Sequence, residues 1–259
     1  MHAMPANALS LVAVPGIGEV QRGDDLAALL AAALDAAGIR PEARDLLVVA
    51  QKIVSKAEGR QADLRAVTPS PRALELATIT GKDARLVELI LSESTEVVRA
   101  APRVLIVRHR CGWVMANAGI DRSNVPTVPG DERVLLLPLA PDASAAALRQ
   151  ALTMRYGVEL AIVISDSFGR PWRYGVTNVA LGCAGLPALI DRRGEVDRGG
   201  RILEVTEVAY ADAVAGAAGL LMGEGAEGLP AVLVRGLRWA APARAASALV
   251  RPREEDLFR

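Results

Sequence analysis

The run Leu160-Ala161-Ile162-Val163-Ile164 constrains the fold of this chain more than any other stretch. An unbroken apolar run of this length, closed by polar residues, reads as a buried strand. It delivers Ser165-Asp166-Ser167-Phe168-Gly169-Arg170-Pro171-Trp172-Arg173-Tyr174-Gly175 to the edge of the core, with Asp166 beside the hydroxyl of Ser167. A carboxylate next to a hydroxyl, followed by Gly and two Arg, suits a hydrated metal and a phosphorylated ligand. Oxygen ligands favour Mg²⁺ or Mn²⁺, and guanidinium forks match phosphate oxygens. The same letters also suit a polar strand end with solvated arginines.

Other apolar runs give the same reading: Leu11 to Val14, Asp45 to Ala50, Val104 to Val107, Val134 to Leu139 and Ala231 to Val234 are expected strands. Between them lie helical patterns. Asp24-Asp25 caps a helix whose Leu26, Leu29, Leu30, Ala33 and Leu34 form one apolar face. Residues 61–101 are expected to be mostly helical, with Leu86, Leu89, Ile90 and Val97 on the apolar side of a helix from Lys82 to Arg99. Asp142-Ala143-Ser144 is expected to cap a helix through Met154, and Val208 to Leu221 reads as an Ala-rich helix. Val179 to Ile190 is small-residue strand or helix, and Asp191 to Arg201 is a charged, glycine-rich turn.

Several loops at element ends have the letters of a ligand site. Pro15-Gly16-Ile17-Gly18 permits close backbone approach, or simply a turn. Lys52 and Lys56 stand at i and i+4 beyond a strand end, suited to phosphates or to a solvated helix face. Ala116 to Val125 sets Asp121 and two Asn among small residues. Met222-Gly223-Glu224-Gly225-Ala226-Glu227-Gly228-Leu229 is a possible phosphate and metal cradle, or a glycine-rich helix stop. Neither a GxGxxG fingerprint nor a GxxxxGK[ST] loop occurs. His109, alone apart from His2, excludes a multi-histidine zinc site and reads as structural.

The 30 basic residues balance the 30 acidic ones, so no global field favours nucleic acid or an anionic membrane. An anionic ligand must be held by local clusters. Cys111 and Cys183 are too few for a disulfide scaffold, which fits a reducing, cytoplasmic compartment. No signal peptide is expected at the start, and no apolar run approaches the length of a membrane span. Three acidic positions, Asp121, Asp166 and Glu224, sit in glycine-containing segments with cations near in sequence. Converging carboxylates on Mg²⁺ or Mn²⁺ are the usual arrangement for phosphoryl transfer.

QKIVSKAEGR, ANAGIDRSNV, SDSFGRPWRYG and MGEGAEGLPAVLVRG occur in this order across the chain. Together they strongly resemble the coenzyme F-420-0:gamma-L-glutamyl ligases, from Pro15 to Gly236. The resemblance implies an α+β fold of mixed sheets with flanking helices, forming an intertwined homodimer. It implies one ligase domain over residues 1–250, with room for two subdomains, and a charged tail over 251–259. It implies GTP as substrate, Mg²⁺ or Mn²⁺ at two sites, help from K⁺, and L-glutamate and coenzyme F-420-0 as the joined partners. By similarity Asp121 and Asp166 hold one metal, and Ser167 and Glu224 the second. Pro15, Gly16, Ile17, Gly18, Gln51, Lys56, Asn124 and the loop Met222, Gly223, Glu224, Gly225, Ala226, Glu227, Gly228, Leu229 hold GTP, with Asp121, Asp166 and Lys56 catalytic. Gln51 stands where a small hydroxyl residue is expected, Ser167 where Thr is common and Glu224 where Gln is frequent.

Overall fold

In the computed structural model, which describes residues 8–121 and 132–256, the apolar runs become strands whose alternate side chains enter different cores. The first part of the chain runs β1 (Ser10–Ala13), α1 (Leu26–Ala36), β2 (Leu46–Ala50), α2 (Gln51–Ala57) and β3 (Gln61–Asp63). Then come α3 (Pro71–Thr80), α4 (Ala84–Ser92), β4 (Ser94–Ala101), β5 (Val104–His109), β6 (Val114–Ala116) and β7 (Arg133–Leu135). The remainder is α5 (Pro141–Tyr156), β8 (Ala161–Arg170), β9 (Arg173–Ala184), β10 (Leu189–Asp191), β11 (Glu207–Ala209), α6 (Tyr210–Met222) and β12 (Ala231–Arg235). The class is α+β.

The central sheet has five strands in the order β1-β12-β2-β8-β9. Its β2–β8 pair is parallel and the others antiparallel. Leu47, Val49, Ile162, Ile164 and Leu233 face a core shared with α1 and α5. Leu46, Val48, Val163, Val232 and Val234 face the opposite core, closed by Ala211, Val214, Ala215 and Ala218 of α6. Burial on both faces is why these strands read as continuous apolar runs rather than alternating ones. Each such side chain contributes about 1.5–3 kcal/mol relative to exposure. The small residues of α6 and β9 are therefore used inside the chain, where close helix–sheet packing needs them.

The cap reading of the first helix holds for Asp25, which accepts from the Ala28 N–H at 3.0 Å, but not for Asp24, which accepts from the Gln21 N–H at 2.7 Å in the turn before the helix. The helix expected from Lys82 to Arg99 does not reach that far. It ends at Ser92, and Ser94–Ala101 forms β4, paired antiparallel with β5. The β-branched Thr95, Val97 and Val98 favour a strand once a partner is present, which a helical period does not reveal. The buried face of α4 is Val87 and Ile90, packed with Ala73, Leu76, Leu105 and Val107 in a core of their own beside the β4-β5-β6 sheet. The strand expected over Val134 to Leu139 is confined to Arg133–Leu135, although Leu136 and Leu137 are buried.

His109 is fully buried, stacked on Trp113, and its Nδ1 accepts from the Cys111 N–H at 3.1 Å. Burial raises the Glu93 carboxyl, yet His109 at 3.5 Å and the hydrogen-bonded guanidinium groups of Arg60 and Arg110 hold it down at about 2. These side chains tie α2's exit to β4 and β5, a structural role for the lone internal histidine. The tail is not free where it is described. A short 3₁₀ turn at Arg253–Glu255 follows Val250, with Arg253 facing Glu96 and Asp256 facing Arg108.

Asp142 is not the cap of α5; Ala140 occupies that position. The carboxylate instead accepts from the N–H groups of Cys183 at 2.9 Å, Ala246 at 2.8 Å and Ser247 at 3.2 Å. It thereby joins α5, β9 and the C-terminal segment. The approach is close: a Cβ on Gly182 would lie 2.3 Å from the Pro141 backbone. Hydrogen bonds to a charged group contribute about 1.5–3 kcal/mol each, net of the water bonds they replace, and are not additive when they share one carboxylate. Asp142→Ala is therefore expected to lower unfolding free energy by about 3 kcal/mol in urea titration. Ser144→Ala, which loses a bond to the Glu58 carboxylate on the surface, should lower it by less than about 1 kcal/mol.

Candidate active site

The parallel register of β2 and β8 sets Ala50 opposite Ser165, so α2 and the Asp166 stretch leave the sheet at the same end. The bulge between Ile164 and Ser165 changes the pairing just before Asp166. Beyond it, burial along β8 falls from complete to partial. A cavity of about 500 Å³ opens there. The loop after β1 and α2 form one side of its lining, Asp166, Ser167 and Asn178 another, and the loop after α6 a third.

Ile17, Gly18, Gln51, Lys56, Asp166, Ser167, Met222, Gly223, Glu224, Gly225, Ala226, Gly228 and Leu229 all line this cavity. These residues come from four segments far apart in sequence. Pro15, Gly16, Asp121 and Glu227 are outside the lining. Glu227 turns back on its own loop, accepting from the Gly225 N–H at 2.8 Å. Its carboxyl packs where a Cβ on Gly223 would be, at 2.2 Å, and Gly223 has φ 70° and ψ 179°, which suits glycine. Glu227 thus shapes the loop from behind. The loop is also tied to β8, because the Ser165 hydroxyl contacts the Met222 sulfur at 3.9 Å.

Asp121 is held against β7 by paired backbone bonds with Leu135, and its carboxylate meets Lys52 Nζ at 2.7 Å. Asn124 lies outside the described residues. Lys56 is buried, with Nζ 2.5 Å from Glu19 Oε1. Arg170 and Arg173 are not part of the lining; they sit exposed on the β8–β9 hairpin, and Arg170 donates to the Tyr174 carbonyl. Among the described residues, the cations that line the cavity are Lys52 and Lys56 of α2. Sequence reasoning missed Glu19 and Asn178. Asn178 pairs with Ser167 across the ladder, a placement that only the β8–β9 register reveals.

A family described as F420-0:Gamma-glutamyl ligase matches residues 16–236, a span that includes the whole cavity. The chain belongs to this family. It is 46% identical over 253 residues to the coenzyme F420:L-glutamate ligase of Methanothermobacter thermautotrophicus, covering 97% of this chain and 99% of that protein. The coenzyme F420:L-glutamate ligase of Methanopyrus kandleri is 45% identical over 97% of this chain and 98% of its own length. That of Natronomonas pharaonis is 47% identical over 96% of this chain and 93% of its own.

In this F420 ligase-family chain the carboxylates are not all alike. Burial pushes Asp166 up to about 7; the Ser167 N–H, Lys52 and the Gln51 side chain pull it down, and Asp121 pushes it up. Gln51, itself buried, is oriented by the Ser55 hydroxyl at 2.9 Å. Two carboxylates within electrostatic reach, an amide and a hydroxyl form an oxygen donor set of the kind that suits Mg²⁺ or Mn²⁺. A divalent ion would relieve the charge conflict that Lys52 already relieves in part. Among the described residues no group of three or more acidic, histidine or cysteine side chains surrounds a single point, and exposed Glu224 stands on the separate loop after α6. The donor set therefore fits an ion shared with a ligand's oxygens better than one enclosed by protein.

The raised pKa has a definite consequence for stability. An Asp at about 7 when folded and 3.8 when unfolded favours the fold in its protonated form. Its cost is absent below the unfolded value, grows as pH rises from there toward 7, and levels off above it. Lys52, Asp121 and Gln51 face it throughout this range, with Glu224 across the cavity. Asp166→Asn is expected to stabilise the metal-free protein by about 2 kcal/mol at pH 8, read as a higher Tm. The gain should shrink markedly at pH 4.5. An equal gain at both values would mean that the effect is not the carboxylate's charge.

Proposed function

We propose that this chain is a GTP-dependent ligase that joins L-glutamate to coenzyme F420-0 through γ-linked amides, by way of an acyl phosphate. The observation that carries the reading is the cavity itself, where two lysines of one helix, Asp166 with Ser167 and a glycine-rich loop share one lining, and Asp121 meets one of those lysines from beside it. The relatives, as coenzyme F420:L-glutamate ligases, supply the joined partners.

The chemistry follows from making an amide out of a carboxylate. Hydroxide is a poor leaving group, so the acid must first be activated. An acceptor carboxylate oxygen attacks the γ-phosphorus of GTP, the bond to the β-phosphate oxygen breaks, and GDP leaves. The glutamate amine then attacks the acyl carbon, the carbon–oxygen bond to phosphate breaks, and phosphate leaves as the amine loses its proton. No cysteine or serine nucleophile is required.

Asp121 and Asp166 would hold one divalent ion, and Ser167 with Glu224 a second. Bound there, such ions supply charge neutralisation for the transferring phosphate oxygens. The protein's own part is orientation and charge. Gln51 and the Ser167 N–H fix the Asp166 carboxylate. Lys52 and Lys56, about one helical turn apart, offer ammonium groups to a polyphosphate lying along α2. The loop from Met222 to Leu229, stapled by Glu227, closes the far side.

Incubation of the glutamate-free deazaflavin with GTP, Mn²⁺ and glutamate is expected to give products heavier by whole glutamyl residues, with matching GDP and phosphate release, measured with and without K⁺. Asp166→Asn should retain the fold yet lose at least about a hundredfold in rate. GDP release without a glutamyl product would assign the chemistry to another carboxylate. Nucleotide binding without any GDP release would make the chain a non-catalytic binder.

A homodimer belongs to the same reading. Trp172 at 87% exposure and Tyr174 at full exposure stand at the turn of the β8–β9 hairpin, beyond the core. Light scattering at micromolar concentration is expected to give the mass of two chains. The Trp172→Ser, Tyr174→Ser double variant should shift the distribution toward one.

A further inference from the structure

We propose that Glu19 is a tethered stand-in for a phosphate oxygen. It holds the Lys56 ammonium when the cavity is empty of anions and yields it to an incoming polyphosphate. Glu19 then sets how tightly, and for how long, the cavity keeps its nucleotide. The identity of the ligand rests on the nucleotide reading above; the exchange of one anion for another rests on geometry alone.

The pair is lopsided. The Lys56 side chain is 7% exposed and that of Glu19 56%, with Nζ and Oε1 2.5 Å apart. A buried ammonium is costly without an anion beside it. An exposed carboxylate is cheap to release, because water solvates it at once. Removing Glu19 from Lys56 is therefore unfavourable only if nothing replaces it. A phosphate oxygen replaces it with the charge balance intact. The net gain on binding is then the difference between two anions on one cation, which keeps affinity moderate and the exchange reversible.

Both residues line the cavity, and the movement needed is small. The loop carrying Glu19 is fastened at one end by the Val14 N–H to the Ala231 carbonyl at 2.9 Å. At the other end the Gly23 N–H meets the Ala57 carbonyl at 2.8 Å, and Val20 is buried between them. Release of Lys56 is thus a side-chain rotation on a fixed backbone, far faster than turnover. The same rotation run backwards re-covers Lys56 as phosphate or GDP departs, so the carboxylate assists release as well as opposing entry.

The test compares binding of GTP, GDP and inorganic tripolyphosphate by calorimetry to the intact protein and its Glu19→Gln and Glu19→Ala variants. With the competing charge gone, tripolyphosphate and GTP are expected to bind about tenfold more tightly in both variants. GDP should dissociate more slowly, and KM for GTP should fall without a rise in kcat. In a Lys56→Gln background the same Glu19 changes should give no tightening, which a merely structural loop role would not produce. Tightened tripolyphosphate binding with no GTP binding by any form leaves the inference standing and removes the nucleotide reading. Equal or weaker tripolyphosphate binding in both Glu19 variants, or none to any form, overturns it.

Discussion

The parallel pairing of β2 with β8 is the constraint on which the rest of this structure depends. Both strands are buried on both faces, so a one-residue slip would exchange the side chains that each core receives. That register fixes Ala50 against Ser165. Everything chemical follows from the shared end: one strand continues into α2 with Gln51, Lys52 and Lys56, the other into Asp166 and Ser167. The candidate site is thus set by the least deformable part of the fold.

Charge in and beside the cavity is arranged in pairs with different degrees of solvation. At one end Lys52 meets Asp121, both about a third exposed. Further along α2, buried Lys56 meets exposed Glu19. Asp166, pushed up by burial to about 7, is the group left in electrostatic conflict. Such a layout has no net field to attract anions from far away, in keeping with the balanced composition. It offers instead a short path on which a phosphorylated ligand and divalent ions would exchange places with charges that the protein already holds.

Legibility differed by the kind of information. The strands beginning near Leu46, Leu160 and Ala231 and the Asp25-capped helix were read correctly, because each is encoded by neighbouring residues. The helix drawn through Arg99 failed because β4 exists only by pairing with β5, whose sequence lies beyond it. Asp142 was given a local cap for the same reason: its partners, Cys183 and Ala246, are distant in sequence. Glu227, expected among the ligand contacts, turns back on its own loop, since a glycine-rich run does not reveal which way its acids point.

The sequence by itself determined the apolar runs, the membership of the family and the segments that come together, since periodicity and long ordered motifs are properties of the linear chain. Only the tertiary structure decided that Lys52 answers Asp121, that Lys56 is buried and answered by Glu19, that Asn178 stands beside Ser167, and that the hairpin arginines stay outside. The physical reason is that ionic partnership and burial depend on distance and on exclusion of water. Both are set by strand register and helix packing between residues far apart in the chain, and no local pattern of letters carries them.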